Sequence, residues 1–326
     1  MYTDSRGRVW QKGGLHIHTT NSDGAKTPEQ AEALYREAGY DFIALTDHWF
    51  YGEAHENGPM RVLSGLEYDV GSNTADGIFH IVGVGMERAP SVTRADVRGD
   101  GMDSVAKAQR VIDSIRDAGG LAILAHPAWS LNRPEEILRL RGVDGVEMFN
   151  AFSGMPWQAR ANSDVLLDVA ASQGWARPVH ASDDSHLYAG EQCSSYIWVQ
   201  AENNSRACLL DALRQGRVFA SRGGFLEVER AGNTLHVRCT PSRSILFQTG
   251  CVWIPDRVYL GEGLTEAEQA EQKVLYRAYI DAFKANLRAQ LENIEIIDDD
   301  TQEVEKIEEE VEALEETLQE SENRLN

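Results

Sequence analysis

Apolar and polar residues alternate in a way that predicts strands separated by helices over roughly the first 225 residues. Runs such as Ile43–Leu45 and Leu121–Leu124 are continuously apolar, which is typical of strands covered on both faces. We predict seven strands on this basis: Leu15–His18, Asp41–Thr46, Val62–Glu67, Phe79–Val84, Leu121–His126, Gly145–Phe149 and Pro178–Asp184.

Helical patterns lie between most of these strands. Thr27 is a suitable N-cap before Pro28, and Gly39 follows the last turn of this first helix. Further helices are predicted over residues 102–118, 134–140 and 157–173. The alternation favours an α/β domain with a mainly parallel sheet. A barrel-like sheet of seven strands fits the count, and periodicity alone does not separate it from an open sheet.

The pattern changes twice after residue 225. Turn signals between alternating residues predict a small β extension at 226–261, with strands over Thr234–Cys239 and Ser244–Thr249. A helix is predicted over Thr265–Gln290. Apolar residues then recur at helical spacing among glutamates, at Val304, Ile307, Val311, Leu314 and Leu318. We therefore predict a main domain at 1–225, the β extension, and an acidic helical hairpin with a short coiled coil at 262–326.

Charge and composition narrow the classes of function. The formal net charge is −21, and residues 262–326 alone hold 20 acidic and 6 basic side chains. Such a surface repels the nucleic-acid backbone, so duplex nucleic acid is not an expected partner. The acidic helices suggest self-association instead. The first residues do not form a signal peptide, no apolar run is long enough to span a membrane, and the cysteines are widely spaced. We expect a cytoplasmic protein with reduced thiols.

Histidines and carboxylates occur where the predicted strands end. His16 and His18 are separated by one residue, so a strand would point both rings to one face. Asp23 follows in a polar loop, and the later strands carry His48, Glu67, His126, Glu147, Asp184 and His186 within them or just beyond them. Sites assemble at this edge of parallel α/β domains. Imidazole and carboxylate together are ligands for zinc, manganese or iron, so the sequence predicts a metal site.

His80 begins its strand, at the opposite end from the other candidates. Only a short segment without a helical pattern separates it from Glu67. A hairpin would make this strand antiparallel and return His80 to the side of Glu67. The remaining histidines, His55, His180 and His236, are interpreted as ordinary surface or core residues.

The motifs that surround these residues resemble those of the PHP (polymerase and histidinol phosphatase) superfamily. They match in order and spacing over about 220 residues: Leu15–Gly24, Ala44–His48, Ser64–Glu67, Phe79–Gly85, Leu124–Pro127 and Ala181–His186. The Asp-Asp-Ser-His form of the last motif, together with Leu213–Gly223, looks like the CehA/McbA-type branch. The resemblance implies a distorted (β/α)7 barrel with two or three divalent ions at its carboxyl-terminal face.

The same resemblance implies how the ligands are shared. One ion would be held by His16, His18, Glu67 and Asp184. Glu67 would bridge to a second ion on His126, with Glu147 or His80 as the remaining ligand. A third ion would be held by Asp23, His48 and His186.

The implied reaction is attack by a metal-bridging hydroxide on the phosphorus of a phosphate ester. Glu67 has a catalytic role as the bridging ligand, and a protonated His80 or His186 would assist the leaving group. Arg133 and Arg222 are candidate phosphate contacts. The substrate would be a small phosphorylated metabolite, a nucleotide or an oligonucleotide end. Hydrolysis of an ester, amide or carbamate, and a scaffold acting through the helical tail, are the alternatives.

The tail carries a second resemblance. Residues 263–299 are similar to the small bacterial YnzC family of helical-hairpin proteins. This resemblance implies a fold for the tail and no function.

Overall fold

The computed structural model describes residues 1–71, 77–98, 101–232, 234–240, 244–247 and 257–260. The strands within these residues are β1 (Tyr2–Thr3), β2 (Val9–Gly14), β3 (Phe42–Ala44), β4 (His55–Asn57), β5 (Met60–Leu63), β6 (Gly65–Gly71), β7 (Ile78–Val84), β8 (Leu121–Leu124), β9 (Gly145–Asn150), β10 (Val179–Ser182), β11 (Tyr196–Gln200), β12 (Val218–Ser221), β13 (Leu226–Ala231), β14 (Thr234–Cys239), β15 (Ser244–Phe247) and β16 (Arg257–Leu260). The helices are α1 (Pro28–Glu37), α2 (Arg94–Val97), α3 (Ser104–Asp117), α4 (Pro134–Ile137), α5 (Asp164–Ser172) and α6 (Arg206–Arg214).

Two mixed sheets organise the main body of the chain. One sheet has the order β12-β11-β2-β3-β5-β4, with β1 beside β2, and the other has the order β10-β9-β8-β7-β6. The pairs β2–β3, β3–β5, β8–β9 and β9–β10 are parallel, whereas β4–β5, β6–β7, β7–β8 and the pairs of β11 are antiparallel. The predicted α/β class is confirmed. The mainly parallel sheet is wrong, because both sheets also contain several antiparallel pairs, and a closed seven-stranded barrel is not shown.

Single bridges connect the ends of the two sheets. Ile17, beyond β2, pairs with Ser185, beyond β10, and His48, beyond β3, pairs with Glu67 in β6. The first bridge joins the segments that follow β2 and β10, and the second places the segment that follows β3 alongside β6.

The structure shortens several predicted strands. The strand predicted over Leu15–His18 is wrong, since β2 already ends at Gly14 and only Ile17 forms a bridge. The single strand predicted over Val62–Glu67 is two strands in different sheets, β5 and β6. Ser64 lies between them and directs its hydroxyl to the Met86 carbonyl oxygen at 2.7 Å. The predicted antiparallel return of β7 beside β6 is confirmed, with His80 opposite Asp69.

Helix α3 shows how the core fixes the second sheet. Asp103 caps it by accepting a hydrogen bond from the Ala106 amide at 2.8 Å. Its buried apolar residues recur at helical spacing and are Val105, Ala108, Val111, Ile112 and Ile115. They join one apolar cluster with residues of β6, β7 and β8. Each fully buried aliphatic side chain contributes roughly 1.5–3 kcal/mol, so this contact holds the site-bearing strands in place.

Helix α5 begins later than the sequence predicts. A helix over residues 157–173 is expected, but α5 starts at Asp164. The preceding segment pairs with β9 instead, because the Asn150 amide donates to Ala161 and the Ser163 amide donates to Met148. These bonds satisfy backbone groups that a longer helix would have satisfied internally.

The chain divides into two compact units, Met1–Thr240 and Pro241–Asn326. In the first unit, β13 and β14 form an antiparallel hairpin. In the second, β15 and β16 form an antiparallel pair. The predicted helix at 265–290 and the heptad residues at 304–318 lie outside the described residues, and the domain boundaries at 225 and 261 stay predictions. No helix in the described part of the chain is long and apolar enough to cross a membrane.

Candidate metal centre

The first group of predicted ligands converges at the joined ends of the two sheets. His16 Nε2 lies 3.3 Å from Glu67 Oε1 and 3.1 Å from Asp184 Oδ1. His18 Nε2 lies 3.2 Å from Glu67 Oε2 and 3.2 Å from Asp184 Oδ1. All four side chains are buried. His16 and His18 lie beyond the end of β2, yet they still point to one face because the intervening Ile17 packs into the core on the other side.

Several of these buried atoms have no hydrogen-bond partner. They are His16 Nε2, His18 Nε2, His48 Nδ1 and Asp184 Oδ1. A buried polar atom without a partner costs about 1–3 kcal/mol, and here several such atoms of ligand type face one another. His16, His18 and Asp184 offer ligand atoms that all lie within 4.8 Å of one another. The residues therefore fit a divalent cation, which would be the missing partner of each atom.

Glu67 lies between two groups of imidazoles. Its Oε1 is 2.9 Å from His80 Nδ1 and 3.5 Å from His126 Nε2. Its Oε2 faces His18, and also His48 Nδ1 at 3.2 Å. Both carboxylate oxygens thus face nitrogen ligands on different sides, as a carboxylate that bridges two ions must.

Glu147 is held by four groups of the protein. Its Oε1 is 2.7 Å from His16 Nδ1 and also accepts from the Ser182 hydroxyl. Its Oε2 accepts from the His126 amide and from Asn150 Nδ2, each at 2.9 Å. His16, His126 and Glu147 form a possible ligand group of their own. The contacts with His16 Nδ1 nevertheless match the carboxylate that orients a ligating histidine from behind.

The third predicted group is more open. Asp23 Oδ2 lies 3.6 Å from His186 Nε2 and 3.8 Å from His48 Nε2, while Asp23 Oδ1 lies 3.4 Å from His18 Nδ1. The side chain of Asp23 is 55% exposed. The His186 ring stacks between His18, with centroids 4.1 Å apart, and Phe152, with centroids 4.4 Å apart. This stacking fixes the ring plane of His186 beside Asp23.

Two site residues adopt a backbone conformation that side chains rarely take. Asp184 has φ +53 and His126 has φ +25. Such conformations cost of order 1–3 kcal/mol and persist where the surrounding structure imposes them, often at functional sites. Here the Asp184 amide donates to the His16 carbonyl oxygen at 3.0 Å, which fixes this turn against the segment that carries the first two histidines.

The electrostatics of the metal-free site favour protonated imidazoles beside ionised carboxylates. Burial disfavours the charged form of His16, but Asp184, Glu67 and Glu147 outweigh it and raise the pKa of His16 well above its ordinary value. Burial also opposes charging of His18, but the neighbouring carboxylates of Asp184, Asp23 and Glu67 raise its pKa well above the ordinary value. Burial would raise the carboxylate pKa values, but the imidazoles hold those of Glu67 and Asp184 well below normal.

A cavity of about 370 Å³ opens beside these clusters. It is lined by Ser22, Asp23, His48, Asp69, His80 and Arg94. The predicted phosphate contacts do not line it. Arg133 pairs with Glu136 at 2.6 Å, and the Arg222 guanidinium lies 4.1 Å from the centroid of the Phe149 ring. The roles of both arginines stay predictions.

The three histidines interpreted as ordinary surface or core residues belong to none of the possible ligand groups found in the described residues. His55 is paired with Glu32 at 3.1 Å on the surface, and His236 is exposed in β14. His180 is buried behind Glu147, and burial lowers its pKa to about 4, so it stays neutral.

Comparisons with known proteins find a matching family and similar curated proteins. Residues 260–308 match a family described as a bacterial protein of unknown function (DUF896). A UPF0291 protein of Lactococcus lactis is 57% identical over 42 residues, which is 13% of this chain and 52% of that protein. The chain thus spans about half the length of the curated relatives it matches first. An uncharacterized protein of Methanocaldococcus jannaschii is 25% identical over 154 residues, covering 43% of this chain and 82% of that protein.

The chain also matches solved structures, two of which come from Bacteroides vulgatus and Pyrococcus furiosus. A two-domain protein of Bacteroides vulgatus, described as containing a predicted PHP-like metal-dependent phosphoesterase, gives a TM-score of 0.48 at 15% identity, covering 81% of this chain and 87% of that one. The lesion-specific endonuclease of Pyrococcus furiosus gives a TM-score of 0.41 at 14% identity, covering 64% and 56%.

Proposed function

We propose that this chain is a metal-dependent hydrolase of phosphate esters that belongs to the CehA/McbA-like branch of the PHP superfamily. The observation that carries the proposal is the convergence of the buried, unpartnered atoms His16 Nε2, His18 Nε2 and Asp184 Oδ1. An arrangement that served only stability would leave these atoms paired within the protein, because each unpaired buried atom costs folding free energy.

His16, His18, Glu67 and Asp184 would hold one ion. Glu67 would share its carboxylate with a second ion on His126 and His80, and Asp23, His48 and His186 would hold a third. Divalent ions held there would supply an activated water and neutralise charge on the phosphoryl oxygens.

The remaining residues of the centre prepare the ligands. Glu147 lies 2.7 Å from His16 Nδ1, so this ring would keep its Nδ1 proton and offer Nε2 to an ion. Ser130 is 3.1 Å from His126 Nδ1 and fixes that ring in the same way. Trp129 packs edge-on against His80 and His126, with centroids 5.5 and 5.0 Å apart, and shields them from water. The donor atoms therefore keep their positions while substrate binds.

The proposal predicts release of phosphate from small phosphate monoesters by protein loaded with manganese or zinc. Asp184→Asn and His18→Ala should lower bound metal and turnover together, whereas His55→Ala, a surface histidine change, should leave both unchanged. Turnover of aryl carboxylic esters without phosphate release would favour the ester and amide alternative. Metal-loaded protein that turns over neither class would contradict the proposal and favour a scaffold acting through the tail.

A further inference from the structure

The cavity beside the metal centre contains one permanently cationic side chain among its lining residues. That side chain is Arg94, and the other lining groups are imidazoles, carboxylates and a hydroxyl. Arg94 belongs to the segment between β7 and α3, in which the sequence shows no motif. No assigned step of the proposed reaction uses it.

The guanidinium of Arg94 is held over an aromatic ring. Its central carbon lies 4.9 Å from the centroid of the Trp49 ring. Trp49 is itself fixed, because its indole nitrogen donates to Asp69 Oδ1 and its ring meets Tyr68 edge-on with centroids 4.6 Å apart. Stacking of this kind contributes about 0.5–1 kcal/mol at exposed sites. It also orients the planar guanidinium before a ligand arrives.

The hydrogen-bond donors of Arg94 are not used by a carboxylate in the described part of the chain. The other two candidate arginines are different. Arg133 is paired with the Glu136 carboxylate, and Arg222 lies over the Phe149 ring. Asp69, an acidic residue that also lines the cavity, accepts a hydrogen bond from Trp49 on its Oδ1. Arg94 is exposed, and its ring contact with Trp49 leaves its donors available to a ligand in the cavity.

We propose that Arg94 binds the non-bridging oxygens of the substrate's phosphoryl group and thereby selects small phosphate monoesters. This inference rests on the proposed function. A guanidinium matches two phosphate oxygens with two parallel N–H donors. Asp23 and Asp69 line the same cavity. Because their negative charges repel an anion, a phosphate group needs a cationic contact in order to bind there. The cavity of about 370 Å³ is large enough to admit a phosphoryl group.

Two measurements test the role of Arg94, and the probe in the first is inorganic phosphate. Titration calorimetry of the manganese-loaded full chain should show phosphate binding about 10–100-fold weaker in Arg94→Ala than in wild type, as loss of a charge-assisted contact predicts. Arg94→Lys should recover only part of the affinity. Arg98→Ala, an exposed arginine four residues further along the chain that does not line the cavity, is the matched control and should bind as wild type does.

Steady-state kinetics give the second measurement. Arg94→Ala should raise KM for a phosphate monoester about 10–100-fold while bound metal stays at the wild-type level. Trp49→Leu, which keeps Arg94 but removes the aromatic surface, should raise KM by a smaller factor. Equal phosphate affinity in wild type and Arg94→Ala would overturn the inference, as would equal losses in Arg94→Ala and Arg98→Ala. If wild type releases no phosphate from any ester, the proposed function fails, and the phosphate titration alone decides the role of Arg94.

Discussion

Metal binding to the ion-free protein should release protons. The number of protons released follows from the protonation of two histidines. The pKa values of His16 and His18 lie well above the ordinary value in the ion-free site, so both rings carry two protons at neutral pH. An ion can bind at Nε2 only after the proton there has left. The Nδ1 protons stay, because Nδ1 of His16 faces Glu147 and Nδ1 of His18 faces Asp23.

The expected size of the effect can be worked out from these two protons. The ion-free form binds more protons than the ion-bound form, so binding strengthens as pH rises and weakens as pH falls. Each released proton changes the binding free energy by about 1.4 kcal/mol per pH unit. For the ion on His16 and His18, the dissociation constant should therefore fall about 100-fold for each pH unit of increase while both rings remain protonated in the free protein.

Titration calorimetry measures this release directly. Manganese is titrated into ion-free protein in two buffers of different ionisation enthalpy, at several values from about pH 6.5 to about pH 8, around the ordinary histidine pKa. The difference between the observed enthalpies gives the number of protons. His18→Ala should bind more weakly and release one proton fewer, while His55→Ala should match wild type. Equal enthalpies in both buffers, with an affinity independent of pH, would refute the assignment of Nε2 as the ligand atom.

Three further predictions concern residues that support the centre. Glu147→Gln should weaken metal binding about 10–100-fold without unfolding the protein, because His16 loses the carboxylate that orients it; unchanged affinity in a metal titration would count against that role. Asp183 accepts hydrogen bonds from Tyr35 at 2.8 Å and from the amides of Cys193, Ser194 and Ser195 at 2.7–3.0 Å. Asp183→Asn would direct an N–H donor at these donors and should lower the free energy of unfolding by about 2–4 kcal/mol in urea denaturation. An unchanged denaturation midpoint would contradict this. A Cβ on Gly24 would clash with the backbone carbonyl group of His18 and lie 2.6 Å from the Thr19 amide nitrogen, so Gly24→Ala should displace the loop that carries His18 and Asp23 and reduce bound metal in elemental analysis; full stoichiometry would contradict this.

The ligand groups could be predicted from the sequence because each depends on a local sequence pattern. His16 and His18 keep a common direction although they lie beyond β2, since the apolar Ile17 between them must face the core. Glu67 and His80 meet because a short connection forces a hairpin, which places them in neighbouring antiparallel strands. In these cases the chemistry follows from spacing along the chain and from which residues must be buried.

Other features depend on contacts between segments that are distant in sequence, and no local sequence pattern predicts them. Arg94 gains its place from Trp49 and from the cavity wall, both remote in sequence. The late start of α5 depends on pairing of the preceding segment with β9, which competes with helix formation and leaves no trace in periodicity. The separation of β5 from β6 depends likewise on which sheet each strand joins. Propensity and spacing cannot decide such alternatives, because tertiary packing does.

Anomalous diffraction from crystals of the protein loaded with manganese or zinc tests the metal centre most directly. We expect an anomalous peak bonded to His16 Nε2, His18 Nε2 and Asp184 Oδ1, at about 2.0–2.2 Å from each, with Glu67 shared with a second peak near His126. Peaks only at surface carboxylates, with these three buried atoms still unoccupied at saturating metal, would show that the buried cluster holds no ion.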